Sequence, residues 1–168
     1  YKYFGSKDEL IDELKEAFFG RILESVNLIA DRAEPFPARA RRCVSTYVRK
    51  ALEKPHHYVA AFSGVAPPAP TVPEGCEFSD SNRAQAFAIL TEMVGEGLDN
   101  GYFRPELVRD TAAKSIWASM HGLAMMIAHF NDFPSMATMP SAMSQDDFID
   151  FHADLIIRSL ESGPTKRD

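Results

Sequence analysis

Cysteine is scarce in this chain, and its scarcity excludes two classes of small protein. Only Cys43 and Cys76 are present. They have neither the spacing of metal ligands nor the density of a disulfide framework. The first residues also lack the apolar run of a secretory signal peptide. We therefore expect a protein of the reducing cytoplasm.

Long apolar runs are missing too. The stretch 115–131 has no Asp, Glu, Lys or Arg, but it contains His121, His129 and several small polar residues. It falls short of the roughly 20 apolar residues that span a bilayer, which predicts a buried helix and no membrane partner. With 168 residues, 45% of them hydrophobic and 25% charged, the chain has the composition of one globular domain.

Positive charge is in short supply as well. The formal net charge is -6, whereas an extended nucleic-acid surface needs clustered Lys and Arg side chains. Any contact with DNA must therefore be local.

The sequence motifs of common enzymes and metal proteins are absent. There is no Gly-x-Ser-x-Gly elbow, no Gly-x-Gly-x-x-Gly and no phosphate-binding loop. A di-iron bundle needs inward Glu-x-x-His pairs on two helices. Only Glu53 and His56 have that spacing, and Pro55 between them breaks the helix that would present them. We expect no enzyme, no metal and no cofactor.

Apolar residues at steps of three and four predict three helices in the first third of the chain. The first begins at the capping residue Ser6 and ends before Pro35. The second runs from Ala38 to a stop or kink near Pro55, and a short third helix covers 56–65.

A loop and two longer helices follow. Residues 66–80 hold four prolines and no apolar period, which predicts a loop. Ser81 or Asn82 caps the fourth helix, and Gly101 supplies its C-terminal stop. Pro105 suits the first turn of a fifth helix that runs to about residue 130.

The fifth and sixth helices are more apolar than one core requires. Over 112–130 the fifth helix is apolar on nearly all faces, so it must be covered from two sides. Ser144 opens the sixth helix, Gly163 follows its end, and its predicted buried stripe is Phe148, Phe151, Leu155, Ile156 and Ser159. The sequence therefore predicts an all-α fold, a bundle of about six helices.

The first ten residues carry a motif. Tyr1-Lys2-Tyr3-Phe4-Gly5-Ser6-Lys7-Asp8-Glu9-Leu10 resembles the segment that ends the recognition helix and opens the fourth helix of the TetR (tetracycline repressor) family. The chain matches the family pattern at each of its fixed positions, which are Tyr1, Tyr3, Phe4, Lys7 and Leu10. Without the resemblance, the same residues would also suit core aromatics and a solvated lysine.

This resemblance implies DNA phosphate contacts by Tyr1, Tyr3 and Lys7, and two hydroxyls and a lysine beside a helix N-terminus suit that role. It implies that 1–5 end a helix-turn-helix DNA-binding domain, that 6–163 form an effector-binding and dimerisation domain, and that 164–168 are a tail. Most of the DNA-reading unit would lie outside this sequence, so the chain should not read DNA by itself.

A second resemblance lies in the later helices. Trp117-Ala118-Ser119-Met120-His121-Gly122-Leu123 is similar to the Trp, His, Gly signature of one branch of TetR effector domains. Gly101-Tyr102-Phe103-Arg104-Pro105-Glu106 resembles the turn that precedes that helix.

The resemblance implies an effector pocket walled by apolar and aromatic side chains. The predicted residues are Phe18, Ile22, Tyr47, Tyr58, Phe62, Phe87, Leu90, Met93, Trp117, Met120, His121 and Met125. Many of them would also suit any helical core, and His121 in particular could be a core histidine. Because the set offers few inward charges, it favours a neutral or weakly cationic ligand.

The family fold also implies a homodimer formed by the last two long helices. The predicted interface residues are Leu123, Ile127, Phe148, Phe151, Leu155 and Ile156. We therefore expect a ligand-responsive transcriptional regulator, a repressor released from operator DNA by an apolar or aromatic small molecule. The alternative is a helical-bundle small-molecule binding or carrier protein without DNA activity, and a helix-turn-helix upstream would separate the two.

Overall fold

The computed structural model of the chain describes residues 5–29, 33–64, 80–130, 133 and 143–163. Within these ranges it contains six α-helices, which confirms the predicted all-α bundle. They are α1 Lys7–Ile29, α2 Phe36–Glu53, α3 Pro55–Phe62, α4 Asn82–Asp99, α5 Arg109–His129 and α6 Gln145–Leu160. The predicted loop 66–80 lies outside the described residues except for Asp80.

Serine caps begin three of the helices where the sequence predicts them. The Ser6 hydroxyl accepts from the Glu9 backbone N–H at 3.1 Å. The Ser81 hydroxyl accepts from the Ala84 N–H at 3.2 Å, and Ser144 caps α6 in the same way. Each cap satisfies a backbone donor that the helix itself leaves unpaired.

Two helices begin elsewhere than predicted. Helix α2 starts at Phe36 rather than Ala38, because Pro37 falls in the first turn, where its missing N–H is not needed. Helix α5 starts at Arg109 rather than near Pro105.

The segment between α4 and α5 is held to the end of α6. Phe103 forms an isolated antiparallel bridge with Glu161, directly after α6, and the Arg104 N–H donates to the Leu160 carbonyl at 2.9 Å. Residues 104–107 then form a separate turn, in which the Leu107 N–H donates to the Arg104 carbonyl, and α5 begins after that turn.

Helix α2 lies at the centre of the bundle. It packs against α1, α5 and α6, and its Ala40, Val44, Val48 and Ala51 are fully buried. Two arginines on its polar side pair with α6: Arg41 with Asp154 at 2.7 Å, and Arg49 with Asp150 at 2.9 Å and Asp146 at 3.3 Å.

The turn between α4 and α5 packs with no spare space. Phe103 is completely buried, and a methyl group added at Gly97 would stand 2.1 Å from its ring. Gly101 takes a φ of +74°, the left-handed conformation that ends α4. The close approach of the Phe103 ring therefore requires glycine at Gly97, and the left-handed turn favours glycine at Gly101.

The predicted buried stripe of α6 is wrong, because the structure buries a different face of this helix. The residues of α6 that enter the core are Ile149, Ala153, Ile157 and Leu160, whereas Phe151 and Leu155 are 51% and 55% exposed. Asp150 and Asp154, next to the buried Ile149 and Ala153, pair with arginines of α2. No helix in the described part of the chain is long and apolar enough to cross a membrane.

Candidate functional site

An open cavity of about 870 Å³ lies between α1, α2, α4 and α5, with Phe62 of α3 at one side. Its wall is almost entirely apolar. The lining residues are Lys15, Phe19, Ile22, Cys43, Thr46, Tyr47, Phe62, Arg83, Ala84, Ala86, Phe87, Ala88, Ile89, Leu90, Lys114, Trp117, Ala118 and Met120. A cavity of this size and character suits a small apolar molecule.

The wall formed by α4 explains how space is left in the bundle. The N-terminal end of α4 is fixed to α1, because Arg83 pairs with Glu16 at 2.9 Å and the Asn82 N–H donates to the same carboxylate at 2.8 Å. Beyond this anchor, Ala84, Ala86 and Ala88 line the cavity. Their short side chains do not fill the volume between α4 and its neighbours.

Seven of the residues that the sequence assigns to the pocket line this cavity. They are Ile22, Tyr47, Phe62, Phe87, Leu90, Trp117 and Met120. The structure brings them together from five helices.

The other five assigned residues lie outside the lining. Phe18 and Tyr58 are each 1% exposed and belong to the core, and Met93 and Met125 pack against that core. His121 is half-buried and bonded to Tyr58 rather than turned into the cavity.

On α1 the sequence assignment included Ile22 but missed Lys15 and Phe19. Lys15, Phe19 and Ile22 line the cavity at spacings of four and three, a helical register as regular as the one that contains Phe18. Ala84 and Ala88 of α4 were a second signal, since small residues four positions apart leave room beside one helix face.

A chain of hydrogen bonds runs from the cavity wall into the protein. The Trp117 indole N–H donates to the Tyr47 hydroxyl at 3.2 Å. The Tyr47 and Tyr58 hydroxyls lie 3.0 Å apart, and the Tyr58 hydroxyl lies 2.6 Å from Nδ1 of His121. Tyr47 and Trp117 therefore present polar atoms at the wall of an otherwise apolar cavity.

Burial keeps these groups uncharged. It raises the pKa of Tyr47 to about 12 and raises the pKa of Tyr58 further. It lowers the pKa of His121 below the ordinary histidine value. Burial also raises the pKa of the Cys43 thiol to about 11, so Cys43 is a protonated, unreactive part of the wall at neutral pH.

The cavity has more positive charge than the sequence led us to expect. Lys15, Arg83 and Lys114 are among its lining residues, and no Asp or Glu is among those described. Arg83 is paired with Asp12 and Glu16. This charge favours a negative or electron-rich ligand over the weakly cationic one that the aromatic residues alone suggested.

A second apolar surface lies on the outside of α5 and α6. We call it the outer face and define it by Met126, Phe148, Phe151 and Leu155. Met126 is 42% exposed, Phe151 and Leu155 are each more than half exposed, and Phe148 is half-buried. The two helices adjoin, because His152 of α6 lies 3.3 Å from the Ser119 carbonyl of α5.

The predicted interface residues divide between this surface and the core. Phe151 and Leu155 are exposed, and Phe148 and Ile156 are half-buried. Leu123 and Ile127 are each only 6% exposed, so they pack inside the protomer, and Met126 takes their place on the outside of α5.

Of the three predicted DNA-contacting residues, the structure describes only Lys7, at the N-terminal end of α1. Lys7 is exposed in its first turn, while Tyr1 and Tyr3 lie outside the described residues. The described side chains include no group of three or more His, Cys, Asp or Glu placed to hold a metal ion.

Comparison with protein families gives one match over most of the bundle. Residues 40–150 match the family model described as tetracyclin repressor-like, C-terminal domain. The matched range includes all of α3, α4 and α5 and most of α2, and so every lining residue of the cavity except those of α1.

Curated relatives and one solved structure agree with this match. The chain is 26% identical over 125 residues to the HTH-type transcriptional repressor KstR2 of two strains of Mycobacterium tuberculosis. The alignment covers 71% of this chain and 61% of those relatives. A protein of unknown function from Rhodococcus sp. RHA1 shares the fold with a TM-score of 0.70 at 21% identity, over 96% of this chain and 77% of that one.

Proposed function

This chain belongs to the family of tetracyclin repressor-like C-terminal domains, and from that membership we propose that it is the effector-binding and dimerisation part of a transcriptional repressor. In this proposal residues 6–163 form the effector and dimer domain, and 1–5 end the DNA-binding unit. The relatives named as repressors extend beyond the matched region, which covers 61% of their length. DNA reading is therefore assigned to helices that precede α1 in the full-length protein.

The cavity is the observation that carries the proposal. It encloses about 870 Å³ behind aromatic and aliphatic side chains, a volume within the usual range of small-molecule sites. Apolar wall residues gain from contact with an apolar body, and the few polar atoms orient it. We assign the effector to this cavity, with Tyr47, Trp117 and Met120 among its contacts.

The outer face supports a homodimer. Phe151 and Leu155 expose large apolar side chains that no described residue covers. A two-fold axis beside such a patch covers both copies with one surface. We propose that α5 and α6 of two protomers form a four-helix interface.

Helix α1 connects the cavity to the DNA-binding end. Lys7 stands in its first turn and Ile22 lines the cavity, about 22 Å apart at 1.5 Å per residue. One rigid helix can thus transmit a shift at the cavity to the DNA-reading unit. The effector must prefer the DNA-released state, and coupling of about 1–3 kcal/mol weakens operator binding roughly 5–150-fold.

The test uses the full-length protein and duplexes from its own promoter region, with scrambled duplexes beside them. We expect Lys7→Ala to weaken binding to both by a similar factor and to reduce the salt dependence by about one charge. The matched control is Lys54→Ala, at the exposed junction of α2 and α3, which should bind as wild type does.

Unchanged affinity and salt slope in Lys7→Ala would remove the DNA role assigned to this residue. Binding of apolar ligands without affinity for any promoter duplex would favour the carrier protein instead.

A further inference from the structure

One end of the hydrogen-bond chain formed by Trp117, Tyr47, Tyr58 and His121 lies at the cavity wall. Tyr47 and Trp117 line the cavity, whereas Tyr58 and His121 lie behind the lining. The only hydrogen bonds that Tyr47 makes to described residues are those to Trp117 and Tyr58.

The hydrogen bonds between Tyr47, Tyr58 and His121 can run in two directions, depending on which group donates its proton. A hydroxyl has one proton to donate, and a neutral imidazole has one N–H and one acceptor nitrogen. In the inward order, Tyr47 donates to Tyr58, which donates to Nδ1 of His121. In the outward order, the Nδ1–H donates to Tyr58, Tyr58 donates to Tyr47, and the Tyr47 proton is left for the cavity.

The occupant of the cavity decides between the orders. In the outward order the Tyr47 oxygen accepts from both Trp117 and Tyr58, and its O–H needs an acceptor that no described residue supplies. A buried hydroxyl proton without an acceptor costs free energy. A hydrocarbon ligand leaves the inward order in place, while a ligand with an oxygen acceptor makes the outward order the better one.

The chemistry of the wall favours an acceptor over a donor. The lining contains the cations Lys15 and Lys114, besides Arg83, whose charge Asp12 and Glu16 balance, and among the described residues it contains no carboxylate. An electron-rich oxygen is therefore favoured over an ammonium or amide N–H.

We propose that the cavity selects an apolar ligand with a carbonyl or carboxylate oxygen, which accepts a hydrogen bond from Tyr47 and reverses the proton order of the Tyr47–Tyr58–His121 chain. This inference rests on the proposed function of the cavity as a ligand site. It makes Tyr47 the residue that determines specificity and His121 the group that records which ligand is bound.

The test compares methyl nonyl ketone with its methylidene analogue, in which a C=CH₂ group replaces the carbonyl. Trp117 is the single tryptophan of the chain and lines the cavity, so its fluorescence reports binding. We expect the ketone to bind wild type roughly fivefold to tenfold more tightly. Tyr47→Phe should bring the ratio close to one.

Tyr58→Phe is the matched control, since it removes a neighbouring hydroxyl from the same chain. It frees Tyr47 to donate without any reversal, so the ketone preference should persist. Decanoate separates a carboxylate from a carbonyl. If the two lysines bind a carboxylate, Lys15→Met and Lys114→Met should weaken decanoate binding and leave binding of the uncharged ketone unchanged.

Nitrogen NMR of His121 reads the proton order directly. Saturation with the ketone should move the proton from Nε2 to Nδ1 in wild type, and the shift should be absent in Tyr58→Phe. A ketone preference that survives in Tyr47→Phe, or an unchanged His121 tautomer at saturation, would overturn the inference. Equal binding of ketone and methylidene analogue by wild type would overturn it too, while failure of both to bind would instead contradict the proposed ligand site.

Discussion

The cavity wall and the outer face are both apolar, but they differ in shape and in polar content. The cavity is concave, and Tyr47 and Trp117 place a hydroxyl and an indole N–H at its wall. The outer face extends over two helices, and the side chains of Met126, Phe151 and Leu155 have no hydrogen-bond donor. A concave wall with a few polar atoms can orient a small molecule, whereas a broad apolar patch fits another protein surface.

Helix α5 contributes to both surfaces because its sides differ. Trp117 and Met120 reach the cavity, Met126 points outward, and Ala113 and Ala124 are completely buried against the bundle. The small buried residues let neighbouring helices approach closely. One helix can therefore take part in ligand binding and in assembly at once.

The largest expected effect is on the outer face. Phe151→Asp removes an apolar contact twice in a two-fold dimer, at about 1.5–3 kcal/mol for each side chain. We expect the dimer dissociation constant to rise roughly 100-fold or more, measured by sedimentation equilibrium. Val108→Asp changes an exposed valine outside the outer face and should leave assembly intact. A wild-type chain that is monomeric at micromolar concentration would contradict the assignment.

A tightly packed position and an open one should respond oppositely to added volume. Gly97→Ala forces a methyl group into the Phe103 ring, so we expect a loss of about 1–3 kcal/mol in unfolding free energy. Urea denaturation measures it. Gly163→Ala, where no atom of a described residue is found within 4 Å of the added carbon, is the control, and equal stability of the two variants would mean that the turn can repack.

Added volume at the cavity should change binding instead of stability. Ala86→Phe places a ring in the cavity, and we expect methyl nonyl ketone to bind at least roughly tenfold more weakly, about 1.4 kcal/mol, with the dimer unchanged. Ala60→Phe, exposed on α3 and outside the lining, should bind as wild type does. Undiminished binding by Ala86→Phe would place the ligand elsewhere.

The smallest expected effect concerns pH. Burial lowers the pKa of His121 and of His152, so below the ordinary histidine value of about 6.5 the unfolded chain takes up protons first. The stability contributed by the two neutral rings should therefore be fully present above a pH of about 6.5. It should decline as the pH falls from that value towards the lowered pKa of the folded protein. His121→Gln and His152→Gln should each flatten the decline between pH 7 and 5, and the double variant most. An unchanged slope in the double variant would contradict the burial of these rings.

Local signals located most of the helices. Ser81 and Ser144 begin α4 and α6 because a hydroxyl beside a free N–H is a neighbour effect that the sequence displays. The start of α5 could not be located in this way. Pro105 lies in a separate turn, next to Phe103 and Arg104, which pair with Glu161 and Leu160 at the end of α6, almost sixty positions further along the chain.

The cavity was predictable in composition but not in detail. Phe18 and Phe19 are adjacent and chemically identical, yet only Phe19 lines the cavity. Neighbouring residues point about 100° apart on a helix, so the rotation of α1 in the bundle selects between them. The same rotation brings Lys15 to the cavity and so changes its charge.

By itself, the sequence determined the all-α class, the six helices, the resemblance to TetR repressors and the aromatic character of the site. The fold class, the helices and the aromatic character follow from periodicity, capping residues and side-chain chemistry, which are local, whereas the resemblance rests on the motifs of 1–10 and 117–123. Only the tertiary structure decided that Leu123 and Ile127 are core while Met126 is exposed, and that Tyr47, Tyr58 and His121 form one hydrogen-bonded chain. Such facts depend on how helices rotate and pack against each other, and ion pairs such as Arg41 with Asp154 fix that packing across more than a hundred residues of chain.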